Sequence, residues 1–414
     1  MQFPEKLKKD YLPLYTGFLK WVLLSIMTGI TVGFVGVLFF YSIKGVTDFR
    51  KSHSWIIWLL PLGGVAIVQL YKAMGFPKDR GTNLVLLSAR DGEKMGFKNT
   101  ICIFISSVIT HLLGGSSGRE GAALQIGGSM GSQFGQILKL DDDDRKIITM
   151  CGMSACFSAI FGTPVTATVF SAEICLVGSL QYSAIVPCII SAVSAMKVAE
   201  FFKVTDFDLF INAPEYSLLN YGKIIVLGIL CAVVSCIFCG ASELASHLYK
   251  KIKNQNLRIV TGGIIVAVLT FAIGTFDYNG AGGEIIAKAF TGDSRPEAFI
   301  MKILFTALTL GAGFKGGEIV PVFFTGSTFG SLMAEILGID YSLGAGVGMV
   351  AVFCGVTNCP LASIILSVEL FGGSGFGFCA IACCISFMLS GYMSLYTAQQ
   401  FMYSKIKPTE KKDG

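Results

Sequence analysis

Gly115 to Gly128 reads G-S-S-G-R-E-G-A-A-L-Q-I-G-G. One acid, Glu120, stands among glycines where an apolar helix begins. Apolar runs flank it on both sides. A carboxylate is costly inside a bilayer, so an ionisable residue there is read first as functional. The start of a helix presents unpaired N–H groups and the positive end of its dipole, which favours an anion. Glu120 is therefore read as an anion-mimicking side chain, parked where a free anion would otherwise sit. The plainer alternative is an acid that only bonds helix ends.

The surroundings are read as membrane from the composition. The chain has 414 residues, of which 53% are hydrophobic and 14% charged, with 49 glycines and three histidines. Its mean hydropathy is +0.67. Soluble domains carry roughly 25% charged residues. Trp21 to Ile43 holds no charge and is long enough to span a bilayer. Further apolar runs fall near 55–71, 100–113, 147–175, 182–200, 224–240, 259–274, 299–313, 343–371 and 375–396. Several are short or broken by glycine, as in interrupted helices that line a cavity. The 13 cysteines show no spacing that suggests a metal site, and they read as free thiols in membrane helices. No cofactor, metal or nucleic acid is expected.

Lys6, Lys8 and Lys9 precede the first span, and Lys405, Lys407, Lys411 and Lys412 follow the last. The positive-inside rule then puts both termini in the cytoplasm of a multi-pass cell-membrane protein. The first span is too long for the apolar core of a signal peptide. Residues 1–20 form a basic lead-in, 21–203 a first membrane repeat, 204–217 a linker with Asp206, Asp208 and Pro214, 218–400 a second repeat, and 401–414 a tail. Asp141 to Asp144 read as a solvated turn opening the next helix.

The two-repeat organisation comes from internal matches. Gly118, Gly131, Ser132, Ile137 and Leu138 recur as Gly317, Gly330, Ser331, Ile336 and Leu337, each 199 residues later. Pro164, Ser171 and Glu173 recur as Pro360, Ser367 and Glu369, each 196 later. Repeats of this kind build transporters whose ion sites lie between the halves on broken helices. An odd number of crossings per half inverts one against the other. The fold class expected is an all-α polytopic membrane protein of two inverted-topology repeats.

G-R-E-G at 118–121, with G-E-I-V-P at 317–321 and a late tyrosine in Ser394-Leu395-Tyr396, resembles the CLC family of anion channels and anion/proton antiporters. The resemblance covers about residues 14–400. It implies a homodimer in the lipid bilayer, with one anion pathway per subunit and both termini cytoplasmic. The chain stops soon after the last span, without the cytoplasmic regulatory domains that some members append. By position, Glu120 is the gating glutamate, which competes with the anion and takes up the exchanged proton. The N–H groups of Glu318 and Ile319, with Val320 following, and the hydroxyl of Tyr396 face the central anion. Gly118, Arg119 and Gly121 frame the outer site.

The departures narrow the branch. The family's first signature, G-S-G-I-P, is replaced by G-T-N-L-V at 81–85, with Thr82 at the serine position. Ile174 stands where chloride/proton exchangers carry an internal proton-transfer glutamate. Glu318 adds an acid to the second signature. These three features resemble the fluoride-exporting bacterial branch, although that branch characteristically carries a methionine in its first signature. Fluoride is strongly hydrated and needs strong donors, and a protonated carboxyl is one. Glu318 is read as a second proton carrier or donor, with helix capping as its alternative. Thr82 and Asn83 are read either as helix caps or as anion donors near the inner mouth. Arg119 fixes its loop or supplies positive field, and Tyr396 is either a site residue or an interfacial belt residue. Glu173 and Glu369 share a structural role, and His111 is a packing residue.

The expected function is fluoride export in exchange for protons. Chloride/proton exchange and a passive chloride channel are the alternatives, with a small inorganic anion and protons as the partners in each antiport reading. An intramembrane hydrolase is disfavoured, since no Asp pair or Ser/His pair lies in the apolar segments.

Overall fold

A computed structural model describes residues 2–76, 80–204 and 209–406, with side chains from Leu14 onward. Asp206 and Asp208 of the expected linker, Lys407, Lys411 and Lys412 of the tail, and the side chains of Lys6, Lys8 and Lys9 lie outside the described residues. Helices dominate. The first eight are α1 (Gln2–Ser52), α2 (Leu60–Ala73), α3 (Thr82–Asp91), α4 (Phe97–Leu112), α5 (Glu120–Ile137), α6 (Asp142–Phe161), α7 (Pro164–Glu173) and α8 (Tyr182–Phe201). A 3-10 turn, Ser54–Leu59, precedes α2. Then follow α9 (Leu218–Lys250), α10 (Gln255–Ile273), α11 (Gly283–Thr291), α12 (Ala298–Ala312), α13 (Ile319–Leu337), α14 (Tyr341–Thr357), α15 (Pro360–Phe371) and α16 (Phe376–Leu389). Two short strands, β1 (Leu176–Val177) and β2 (Gln400–Phe401), pair in parallel. Among the described residues six helical segments are long and apolar enough to cross a membrane.

The helix boundaries differ from the sequence reading in four places. The lead-in and first span form one 51-residue helix, because the lysines and leucines before Trp21 are good helix formers. The second span starts as a 3-10 turn and becomes α-helical at Leu60, where Pro61 suits the first turn. The run 147–175 breaks at Gly162, whose left-handed φ of 69° ends α6 before Pro164 starts α7. The run 343–371 breaks in the same way at Asn358, with φ of 57°, before Pro360. The acidic turn opens α6 as expected, and Asp141 caps that helix, accepting from the Asp144 N–H at 2.8 Å.

The two halves meet about a local two-fold axis. Gly118 and Gly317, related by the 199-residue offset, exchange both backbone hydrogen bonds at 2.7 Å. A second exchange lies at α7 and α15. Glu173 accepts from the N–H groups of Leu361 and Ala362 at 3.2 and 2.9 Å. Glu369 accepts from Val165 and Thr166 at 2.9 and 2.7 Å. Each acid ends one helix and caps the start of its repeat-related partner, and this is the shared role read for the pair.

Packing repeats the symmetry. Gly127 of α5 lies against Gly152 of α6, and Gly326 of α13 against Gly348 of α14. Small residues let the backbones touch, which is how membrane helices associate without a hydrophobic drive between them. Between the halves, Phe161 stacks edge-on to Phe323 at 5.7 Å, and Phe170 lies 5.5 Å from Phe353. Large exposed apolar side chains, such as Leu23 and Leu38 on α1 and Ile264 and Val268 on α10, lie on the outside. Such a surface suits contact with lipid.

Candidate functional site

Four stretches converge between the halves. The tip of α5 brings Gly118, Arg119, Glu120 and Gly121. The tip of α13 brings Glu318, Ile319 and Val320. The start of α3 brings Thr82 and Asn83, and the segment after α16 brings Tyr396. Close approach of the two tips requires glycine, because a methyl group on Gly121 would lie 2.8 Å from the Cα of Gly317. The same added methyl would sit 3.5 Å from Oε2 of Glu318, so that carboxyl lies beside the α5 tip. Ile319 and Val320 open α13, so their N–H groups are among the four that have no acceptor within the helix.

Glu120 is fully buried. Its Oε2 accepts from the Arg119 N–H at 2.9 Å, and its Oε1 faces Arg119 Nε at 3.3 Å. The Arg119 guanidinium lies 4.4 Å from the Phe40 ring centroid. Arg119 thus holds the carboxylate of the next residue. Glu120 also borders a cavity of about 630 Å³ that opens past Arg50, Lys51 and Glu284 at the ends of α1 and α11. The carboxylate is therefore both anchored and next to open space.

Glu318 behaves differently. It is the N-cap residue of α13, yet its side chain makes no cap bond, so the capping alternative is not realised. Its Oε2 is buried with no hydrogen-bond partner among the described residues. The Tyr396 hydroxyl is likewise buried without a partner. With 2% of its surface exposed, Tyr396 is not a belt residue at the membrane interface. The segment is pinned by Leu395 N–H to the Val356 carbonyl at 3.1 Å and by Gln399 Nε2 to the carbonyls of Ile174 and Thr357 at 2.9 and 2.7 Å. Ile174 itself is fully buried, and its carbonyl accepts from Gln399.

Neither Thr82 nor Asn83 caps α3. Gly81 is the N-cap and no side chain bonds there. Thr82 Oγ1 accepts from Gln125 Nε2 at 3.1 Å, and Asn83 Oδ1 accepts from the Ala398 N–H at 2.8 Å. Their side chains reach across to α5 and to the Tyr396 segment because capping their own helix would leave those buried donors unpaired. His111 is only half satisfied. Its Nδ1 meets the Ser107 carbonyl at 2.8 Å, while its Nε2 is buried with no partner among the described residues.

Sequence reading passed over three polar residues near the site. Gln125, inside an apolar helix, was legible as the only long amide within G-A-A-L-Q-I-G-G. Arg50 is buried and donates to the His111 carbonyl at 2.8 Å. Lys302 is fully buried, donating to the carbonyls of Gly280 at 2.6 Å and Tyr278 at 3.2 Å. A lysine within the 299–313 apolar run was the available signal.

Comparison with known proteins agrees with this geometry. The profile of the voltage gated chloride channel family matches residues 64–391. A chloride/fluoride channel protein of Pseudomonas syringae pv. tomato is 34% identical over 411 residues, 97% of this chain and 90% of that protein. The H(+)/Cl(-) exchange transporter ClcA of Vibrio cholerae is 27% identical over 398 residues, covering 86% of this chain and 81% of its own. Among solved structures, a CLC-type fluoride/proton antiporter superposes with a TM-score of 0.90 at 28% identity, over 94% of this chain and 99% of that one. A slow cyanobacterial Cl-/H+ antiporter gives 0.77 at 18% identity, over 89% and 94%, which shows the shared fold. With the profile covering most of its length and two glycine-framed helix tips meeting at its centre, the chain belongs to the CLC family, the voltage gated chloride channel family.

Proposed function

We propose that this protein is an anion/proton antiporter that moves fluoride out of the cytoplasm against inward protons. The observation that carries the reading is the pair of buried, unpartnered polar atoms, Glu318 Oε2 and the Tyr396 hydroxyl. Buried polar atoms are nearly always paired, so two orphans on the α13 tip and the segment after α16 call for a further group to bond them. A small anion meets the need, accepting from the Tyr396 O–H and from Glu318 when that carboxyl is protonated. The second support is the likeness to a solved CLC-type fluoride/proton antiporter at 28% identity.

Glu120 acts as the gate in this reading. Ionised, it accepts from the Arg119 N–H and guanidinium and fills the outer position. Protonation weakens both bonds. The neutral carboxyl then swings into the adjoining cavity, leaving the Arg119 donors to an anion arriving from Glu318 and Tyr396. Because one position holds either the carboxylate or the anion, each anion that passes requires a proton on Glu120. Glu318 supplies the strong donor that fluoride needs in exchange for its water. Chloride, larger and more weakly hydrated, gains less from it. A homodimer with one pathway per subunit, both termini cytoplasmic, is part of the same reading.

The test is flux from liposomes loaded with fluoride or chloride, with internal pH recorded together with the anion. Fluoride efflux with proton uptake, and chloride slower by about tenfold or more, is expected. Glu120→Gln should abolish proton movement, because the amide cannot take up and release a proton at this pH. Equal fluoride and chloride rates would leave chloride exchange as the reading. Anion flux without any proton movement in the wild type would leave the passive channel.

A further inference from the structure

A second cavity, of about 500 Å³, lies at the other end of the molecule from the Glu120 vestibule. It is walled by α2, α9, α10 and the connection from α12 to α13. Ser54, just before α2, borders the vestibule, while Lys72 near the end of α2 borders this second cavity. A 14-residue helix separates them by about 20 Å. Four cations line it, Lys72, Lys250, Arg258 and Lys315, and among the described residues no carboxylate does. Arg258 Nε is buried and unpartnered, and neither Lys72, Lys250 nor Arg258 has an ion-pair partner among the described residues. Lys315 stacks its ammonium 4.9 Å from the Tyr71 ring centroid.

Four like charges around one hollow repel each other, so the arrangement favours an anionic occupant. Size and lining identify its class. The volume falls within the range of organic ligand sites and far exceeds a halide. Ile67 and Leu310 make one wall apolar. The cavity opens beside α10, whose Leu257 and Ile264 are 57% and 47% exposed on the lipid-facing side. Basic hollows between membrane helices at the bilayer edge suit acidic head groups.

We propose that this cavity binds a phosphate-bearing anion, with the phosphate on Arg258, Lys250 and Lys72 and the adjoining carbons on the Ile67–Leu310 wall. The occupant reports to the transport site through chain connectivity. Lys315 lies three residues before Glu318, in the segment that ends α12 and starts α13. A phosphate drawn against Lys315 fixes that segment, and with it the position of the Glu318 carboxyl. The source is either the head group of an acidic phospholipid or a soluble phosphate, and the two separate experimentally.

The experiment is native mass spectrometry of the purified full-length protein with dioleoylphosphatidylglycerol, with dioleoylphosphatidylcholine, and with inorganic phosphate as competitor. Phosphatidylglycerol is expected to stay bound and phosphatidylcholine to dissociate. The double variant Lys250→Gln/Arg258→Gln should weaken phosphatidylglycerol binding at least tenfold, with Lys250→Arg retaining it. Displacement by millimolar phosphate at matching affinity assigns the site to soluble phosphate, and resistance to it assigns the site to lipid. Equal lipid retention by wild type and a monodisperse double variant overturns the proposal, as does retention of neither lipid nor phosphate by the wild type. Because binding is read by mass, this outcome and the antiport assay fail independently.

Discussion

The Tyr396 hydroxyl and Glu318 Oε2 are both buried without a hydrogen-bond partner among the described residues. A hydroxyl held this way is worth keeping only if something else fills the gap. Tyr396→Phe removes the donor and leaves the ring in place. A hydrogen bond to a charged group contributes about 1.5–3 kcal/mol. Fluoride binding should therefore weaken by roughly ten- to a hundredfold. Isothermal titration of the purified protein reads this directly, and unchanged affinity would remove Tyr396 from the site. The residue scale was partly legible in the sequence. Glu120 and Glu318 stood out because acids in apolar helices are rare. Thr82 and Asn83 were ambiguous, because the same side chains cap helices and bridge them. Only the three-dimensional partners, Gln125 and Ala398, decide between the two.

At the scale of elements, the reciprocal capping of α7 and α15 makes a symmetric prediction. Glu173 and Glu369 each accept two N–H groups at the start of the opposite helix. Losing a cap costs about 1 kcal/mol. Glu173→Ala and Glu369→Ala should each lower stability by about that much, and by similar amounts, as read from thermal unfolding in detergent. A loss of transport confined to Glu173→Ala, with both variants equally stable, would show that this acid also carries protons. The segment after α16 offers a pH-dependent element. Lys405 Nζ donates to the Asn358 side chain and the Phe387 carbonyl at 2.6 Å each, latching the end of the described chain to α14 and α16. Burial lowers its pKa from 10.5 to about 8. A cation whose folded pKa is depressed is penalised while charged, so the latch strengthens as pH rises from about 8 towards 10.5. Limited proteolysis near residue 405 should slow over that window, and Lys405→Met should abolish the dependence. The sequence showed α5 and α13 clearly, because their glycine pattern repeats at a fixed offset. It hid the breaks inside 147–175 and 343–371. Hydropathy is continuous there, and the interruption rests on one left-handed residue before a proline in each repeat.

The whole molecule carries its asymmetry in charge and its symmetry in backbone. Repeat arithmetic alone indicated two halves, and the Gly118–Gly317 exchange shows where they meet. The orientation proposed for the chain rests on what the structure gathers at one end. Lys20 pairs with Asp144, placing the start of the first long span beside the turn that opens α6. The Arg90 guanidinium donates to the Ala398 carbonyl at 2.7 Å, and Lys146 lies close to Gly92. The early part of α1, the 91–98 loop, the acidic turn and the C-terminal segment therefore share one end. The cluster Lys72, Lys250 and Arg258 lies at the end of α2 away from the vestibule. Since α1 ends and α2 begins at the vestibule, that is the same end, and its loops hold most of the lysine and arginine. By the positive-inside rule we propose this end as the cytoplasmic one, with the Glu120 vestibule, and Lys51 and Glu284 on its rim, facing outward. In intact cells a membrane-impermeant maleimide should label Glu284→Cys, whose native side chain is 75% exposed. Lys250→Cys should react only after permeabilisation. The reverse pattern would turn the molecule over and place the Glu120 vestibule on the cytoplasmic side, while the direction of exchange, set by the two gradients, would stay the same.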